Sequence, residues 1–143
     1  MARVTTKIVR KPRTQAVIKG YEASLRALVG RAGNLVRNTA VTSINQGAAS
    51  GVTYEKYNPR RTHTASSAGQ PPATDTGFLV NNIVITMDLA DKGLSVNVES
   101  RADYSSFLEF GTSKMAARPF MQPALEENKP KINRLAKQMV KAK

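Results

Sequence analysis

His63 is the single histidine of the chain and lies among Thr62, Thr64, Ser66 and Ser67. An imidazole beside a hydroxyl is the arrangement that activates an oxygen nucleophile. No third group accompanies it, and a His in so polar a stretch reads as a solvated side chain. Glu109 with Asp103, and Asp88 with Asp91, are the carboxylate pairs that general acid–base chemistry would need. Each pair falls at or beside an expected turn with no further constellation around it, which is the pattern of ordinary surface acids. The lone His has no Cys partner for a zinc site, and the patterns GxxxxGK[ST], GxGxxG and HExxH are absent. The expectation is a protein with no catalytic residue, no metal and no cofactor.

Recognition is the better-founded chemistry, and it concentrates in residues 104–125. There Phe107, Leu108 and Phe110 form a short apolar patch, and Gly111 permits the tight turn that ends it. Pro119 and Pro123 suit the first turn of a following helix. Phe107, Phe110 and Phe120 are expected to fill the space beneath this corner, as aromatics spaced around a turn do, with binding to a partner as the alternative. Arg118 has two readings: a forked ion pair with Glu109 or Asp103 that holds the sheet edge against the last helix, or a contact with another subunit.

The elements that must position these residues follow from periodicity. From about Thr14, Ile18, Tyr21, Leu25, Leu28, Ala32, Leu35, Thr39 and Ser43 recur at spacings of three and four, with Val17, Val29, Val36 and Ile44 widening the stripe. This predicts an amphipathic helix of roughly 45 Å at ~1.5 Å per residue. Gly20, Gly30 and Gly33 weaken it and imply either a bend or a close approach of another backbone. Gly47 and Gly51 are expected to end it. Residues 51–76 read as a long polar connection, either a surface insertion or a loop that orders on a neighbour through Tyr54, Tyr57, Arg60 and Arg61. Thr76-Gly77 and Phe78 suggest a short helical turn or the start of a strand. Ile83–Asp88 and Leu94–Ser100 read as an antiparallel pair around Ala90–Gly93. From Pro123, the positions of Leu125, Asn128, Ile132, Leu135 and Met139 predict a second helix, kinked or restarted at Pro130. The fold class is therefore α+β, one domain of 143 residues with a basic arm over residues 1–13.

Charge is uneven. Residues 1–61 hold twelve Lys or Arg against two Glu, residues 62–128 hold four against eight acids, and residues 129–143 hold six and no acid. Basic ends around an acidic middle imply an anionic partner, either nucleic acid or the acidic surface of a neighbouring subunit, beyond the plain solvation of two helices. No run approaches the ~20 apolar residues of a membrane span, and the basic N-terminus lacks the apolar stretch of a secretory signal. A soluble protein made in the cytoplasm, without membrane contact, is expected.

Two ordered motifs carry a family resemblance. One is Tyr104, then Phe107-Leu108-Glu109-Phe110-Gly111-Thr112, followed by Arg118-Pro119-Phe120 and Pro123-Ala-Leu125. The other is Pro71-Pro72-Ala with Asp75-Thr76-Gly77 and Leu79. Together with a basic C-terminal helix they resemble the small neck or tail-completion proteins of long-tailed, lambdoid-type bacteriophages. The resemblance covers about the second half of the chain. It implies a structural virion protein that assembles as a ring of identical subunits around the DNA channel and joins head connector to tail. The motif residues would then be structural or interface positions. The implied partners are the chain itself, head-connector or head-closure proteins, tail-terminator or tail-tube proteins, and non-specific contact with channel DNA. From another class, the net charge of +12 supports a non-sequence-specific nucleic-acid-binding protein, although no aromatic interleaves with the basic clusters as base stacking requires.

Overall fold

A computed structural model of the chain describes residues 3–7, 22–90 and 93–141. The expected α+β class is what it shows: two long helices against a small antiparallel sheet, with a separate hairpin between them. The first helix, α1 (Glu22–Asn45), buries Leu28, Val29, Ala32, Gly33, Val36, Ala40 and Ile44. The core stripe is thus centred one position from the expected one. Val29, Val36 and Ile44, read as flanking residues, are at its middle, and Leu35, Thr39 and Ser43 are half-buried at its border. Val17, Ile18, Gly20 and Tyr21 lie outside the described residues.

Neither Gly30 nor Gly33 breaks α1. At Gly33 the reason for a glycine is contact with the sheet: a Cβ there would stand 2.6 Å from Val96 Cγ2 and 3.2 Å from Ile85 Cγ2. Both neighbours are β-branched and cannot swing aside without leaving their rotamers. Gly33→Ala should therefore destabilise the fold by about 1–3 kcal/mol from overpacking, although Ala favours an exposed helix by about 1 kcal/mol. Urea unfolding checks the sign, and a more stable Gly33→Ala variant would contradict this account of the helix–sheet contact.

The helix ends beside Gly47, as expected, but Gly51 has another task. Its N–H donates to Ala65 O at 2.7 Å and opens a hairpin inside the stretch read as a long connection. Strands β2 (Thr53–Tyr57) and β3 (Arg60–Thr64) pair antiparallel, Thr53 opposite Thr64 and Tyr57 opposite Arg60, around an Asn58–Pro59 peptide that is cis. The β-favouring Thr and Tyr residues of this stretch are the local reason.

The main sheet has three strands, in the order β1 (Arg3–Lys7), β5 (Gly93–Ser100), β4 (Ile83–Ala90). Strands β4 and β5 form the expected antiparallel pair, and β1 adds to the far edge of β5, from Arg3 opposite Glu99 to Lys7 opposite Ser95. Part of the basic arm is therefore a strand. A one-turn helix, α2 (Phe78–Asn81), precedes β4, and α3 (Ser105–Phe110) follows β5.

The last helix, α4 (Met121–Lys141), packs along α1. Asn128 is wholly buried between them and donates through Nδ2 to Thr39 Oγ1 and Ala124 O, both at 2.8 Å. Pro130 does not make α4 restart: the helix runs without a break from Met121 to Lys141. Pro130 and Glu126, whose carbonyl loses its helical donor, are both exposed, so water can replace the missing bond. The core joins Val36, Ala40 and Ile44 of α1 to Ile83, Val98, Phe120 and Met121.

Candidate functional site

The corner between α3 and α4 is built around one carboxylate. α3 turns Ser105 and Glu109 inward, and Glu109 is placed under the start of α4. Its Oε2 accepts the backbone N–H groups of Phe120 at 2.9 Å and Met121 at 3.0 Å, and its Oε1 accepts that of Gln122 at 2.8 Å. These are amides that a helix N-terminus leaves without intrahelical partners, and a negative charge there is favoured by the helix dipole. Glu109 is thus neither a surface acid nor half of a carboxylate pair. Asp103 is exposed, Asp88 accepts from Asn97 Nδ2 at 2.7 Å, and Asp91 lies outside the described residues.

Gly111 makes the turn. Its φ of 75° with ψ of −179° is a region essentially reserved for glycine, and a Cβ would meet Ala117 N and Met115 O at 2.8 Å. Thr112 pairs with Met115 in an isolated bridge, its Oγ1 accepting from Lys114 N at 3.2 Å. The chain then returns so that Arg118 N donates to Leu108 O at 2.6 Å. Pro123 falls in the first turn of α4, as expected, whereas Pro119 precedes the helix.

The expected ion pair of Arg118 with Glu109 or Asp103 does not form: the Glu109 oxygens are occupied by backbone. Arg118 instead lines a half-open cavity of about 460 Å³ bounded by the β2–β3 hairpin, residues 72–79 and α3. Asp75 stands in its wall, accepting from Lys56 Nζ, with Arg61 Nη2 at 3.4 Å and His63 Nδ1 at 3.8 Å. The Lys56 hydrogen bond, helped by the charges of Arg61, His63 and Lys56 against some desolvation, holds the Asp75 carboxyl below its ordinary range. Burial, with the Asp75 charge adding to it, pushes the Tyr104 phenol up and keeps it neutral. His63, expected to be solvated, is largely buried and faces Asp75. Among the described residues no hydroxyl hydrogen-bonds to it. No group of three or more His, Cys, Asp or Glu among the described residues could hold a metal ion.

The aromatics of the corner divide. Phe120 is in the core, as expected, but Phe107 is 55% exposed and Phe110 72%. The cause is α3: with Ser105 and Glu109 facing in, positions 107 and 110 must face out. Tyr104, 41% exposed, and Phe78, 52% exposed, line the cavity with ring centroids 6.2 Å apart, and the spacing of three from Tyr104 to Phe107 to Phe110 runs along one side of α3, extending them as an apolar ridge.

The other motif positions are mostly structural. Pro72 and Leu79 are buried, Pro71 is half-buried, Thr76 Oγ1 accepts from Phe78 N at 3.3 Å, and Gly77 adopts φ 76° ahead of α2. In the hairpin, Tyr54 and Tyr57 are exposed, Tyr57 Oη donates to Glu55 at 2.9 Å and Arg60 pairs with Glu55 at 3.6 Å. The cavity is the part that sequence reasoning missed. Its cations and Asp75 come from separate stretches that only the hairpin brings together, and no local spacing announces that.

No helix among the described residues is long and apolar enough to cross a membrane. No curated protein and no solved structure matches the chain. A family model described as "Bacteriophage HK97-gp10, putative tail-component" matches residues 2–111. That span takes in β1, α1, both hairpins and the corner as far as Gly111, so the chain belongs to the HK97-gp10-like family of bacteriophage tail components.

Proposed function

We propose that this tail component is a neck or tail-completion protein, a subunit of a homo-oligomeric ring around the DNA channel that joins the head connector to the tail. The observation that carries this reading is the ridge of Phe78, Tyr104, Phe107 and Phe110. Four large aromatic side chains half-exposed on one side of the corner cost solvation in an isolated subunit and mark a protein–protein contact. The ridge lies in the stretch of the chain where acids outnumber Lys and Arg, which suits a protein partner better than a nucleic acid. In this reading the ridge, with Tyr54 and Tyr57 of the hairpin, meets a second copy or a head-closure, tail-terminator or tail-tube protein. The basic helix α4 faces acidic neighbours or the DNA path.

The test is a phage carrying Phe107→Ser with Phe110→Ser. Both side chains are outside the core, so the purified variant should keep the unfolding midpoint of the parent. The expected outcome is separate heads and tails in electron micrographs and a loss of the ring by native mass spectrometry. Normal infectious particles from the double variant would end the proposal.

A further inference from the structure

Within that reading of the protein as an assembly subunit, the cavity beside the ridge has a chemistry of its own. Three permanent cations, Lys56, Arg61 and Arg118, line it against a single acid, Asp75. Lys56 and Arg61 both reach the Asp75 carboxylate, so the guanidinium of Arg118 is left without an anionic partner among the described residues. The Nε atoms of Arg61 and of Arg118 are each buried and have no hydrogen-bond partner among the described residues. A buried N–H of a charged group left in this way is costly, and an anion on the exposed part of the Arg118 guanidinium would offset part of that cost. The rest of the wall is mixed: Ile44, Pro72, Leu79 and Leu108 give it an apolar part, beside the polar Ser66, Thr74 and Thr76.

We propose that this recess receives an acidic side chain, flanked by apolar residues, on a short peptide segment of a neighbouring virion protein, its carboxylate paired with the guanidinium of Arg118. Three cations against one carboxylate leave the recess with positive charge in excess, and the planar pair of oxygens of an added carboxylate matches the fork of the unpaired Arg118 guanidinium. The methylene stem and flanking apolar side chains rest on the apolar part of the wall and on Phe78 and Tyr104. The neutral phenol of Tyr104 can donate a further hydrogen bond. A nucleic-acid strand fits less well: it is a continuous polyanion, and a single recess that also holds the Asp75 carboxylate offers it few phosphate contacts.

The experiment uses the full chain with nitrogen-15-labelled arginine and follows the Nε–Hε signals of Arg61 and Arg118 by NMR. The probes are the capped peptide Ala-Leu-Glu-Leu-Ala, its Ala-Leu-Gln-Leu-Ala counterpart and a short oligothymidylate. The expected result is saturable movement of the Arg118 signal by the Glu peptide and at least about tenfold weaker binding of the Gln peptide, the size of one charge-assisted hydrogen bond. Binding should also fall about tenfold or more in Arg118→Gln; should that variant not fold, the difference between the two peptides on the parent chain carries the test. Equal response to the two peptides, response to neither, or tighter binding of oligothymidylate would each overturn the proposal. Peptide binding is read on the isolated chain, whereas ring formation and head–tail joining are read on the Phe107 and Phe110 variants. A chain that assembles normally but ignores the Glu peptide therefore removes only the pocket's assigned ligand.

Discussion

Replacing Glu109 with Ala is expected to remove about 3–5 kcal/mol of folding stability, a large share of the roughly 5–15 kcal/mol that a domain has. The carboxylate accepts three consecutive amides at the start of α4 from inside the protein. A methyl group in its place leaves Phe120 N–H and Met121 N–H facing a site that solvent reaches poorly, since both residues are buried. Each unsatisfied donor costs about 1–3 kcal/mol, and the favourable charge at the helix N-terminus is lost with them. Glu109→Gln keeps the shape and one acceptor oxygen, so its cost should be about 1–2 kcal/mol. Urea unfolding of the three proteins gives the order directly. An Ala variant within 1 kcal/mol of the parent would mean that α4 finds other partners for its first amides, and the corner would lose its proposed anchor.

Phe120→Ala should be of similar size, about 3–5 kcal/mol, for a different reason. The ring is the largest of the fully buried side chains and stands where α1, the sheet and α4 meet. Its removal leaves a void between elements that are tied elsewhere and cannot close on it. The same backbone that carries the ring donates to Glu109, so the two sites share a support. The Glu109→Ala, Phe120→Ala double variant should lose less than the sum of the two single losses. Additive losses would show that capping and packing act independently. Because Phe120 is core, an assembly defect in Phe120→Ala reports a failed fold, and Phe107 and Phe110 are the positions that test the contact itself.

The long elements were legible in the sequence because their patterns are long. The spacing in α1 and the alternation of Leu94, Val96 and Val98 in β5 each repeat often enough to outweigh local noise. Tyr54 to Thr64 has no apolar alternation to read, because most of the hairpin's side chains are exposed on both faces. The strand at Arg3–Lys7 was read as an arm for a related reason: its pairing depends on β5, some ninety residues away, and leaves little local trace. At the corner, the motif correctly marked Gly111 and Phe120, but the side of α3 that faces inward is decided by Glu109 reaching the amides of α4. A charged residue at a core position inverts the expectation that aromatics go inside, and this is why Phe107 and Phe110 were misjudged. The cavity was illegible throughout, since Lys56, Asp75 and Arg118 meet only through tertiary structure.

The pairing of β1 with β5 also orders events in time. Arg3 is synthesised well before its partner Glu99, which follows ninety-six positions later, and closing so long a loop is among the slower steps available to a small domain. β4 and β5 can form their hairpin locally and early, so the nascent sheet passes through a state in which one edge of its central strand is bare. A bare edge accepts a strand from any molecule that offers one. In an infected cell making many copies at once, the yield of properly closed subunits should fall as the rate of synthesis rises, and slower expression at lower temperature should favour the chain's own first strand over a stranger's.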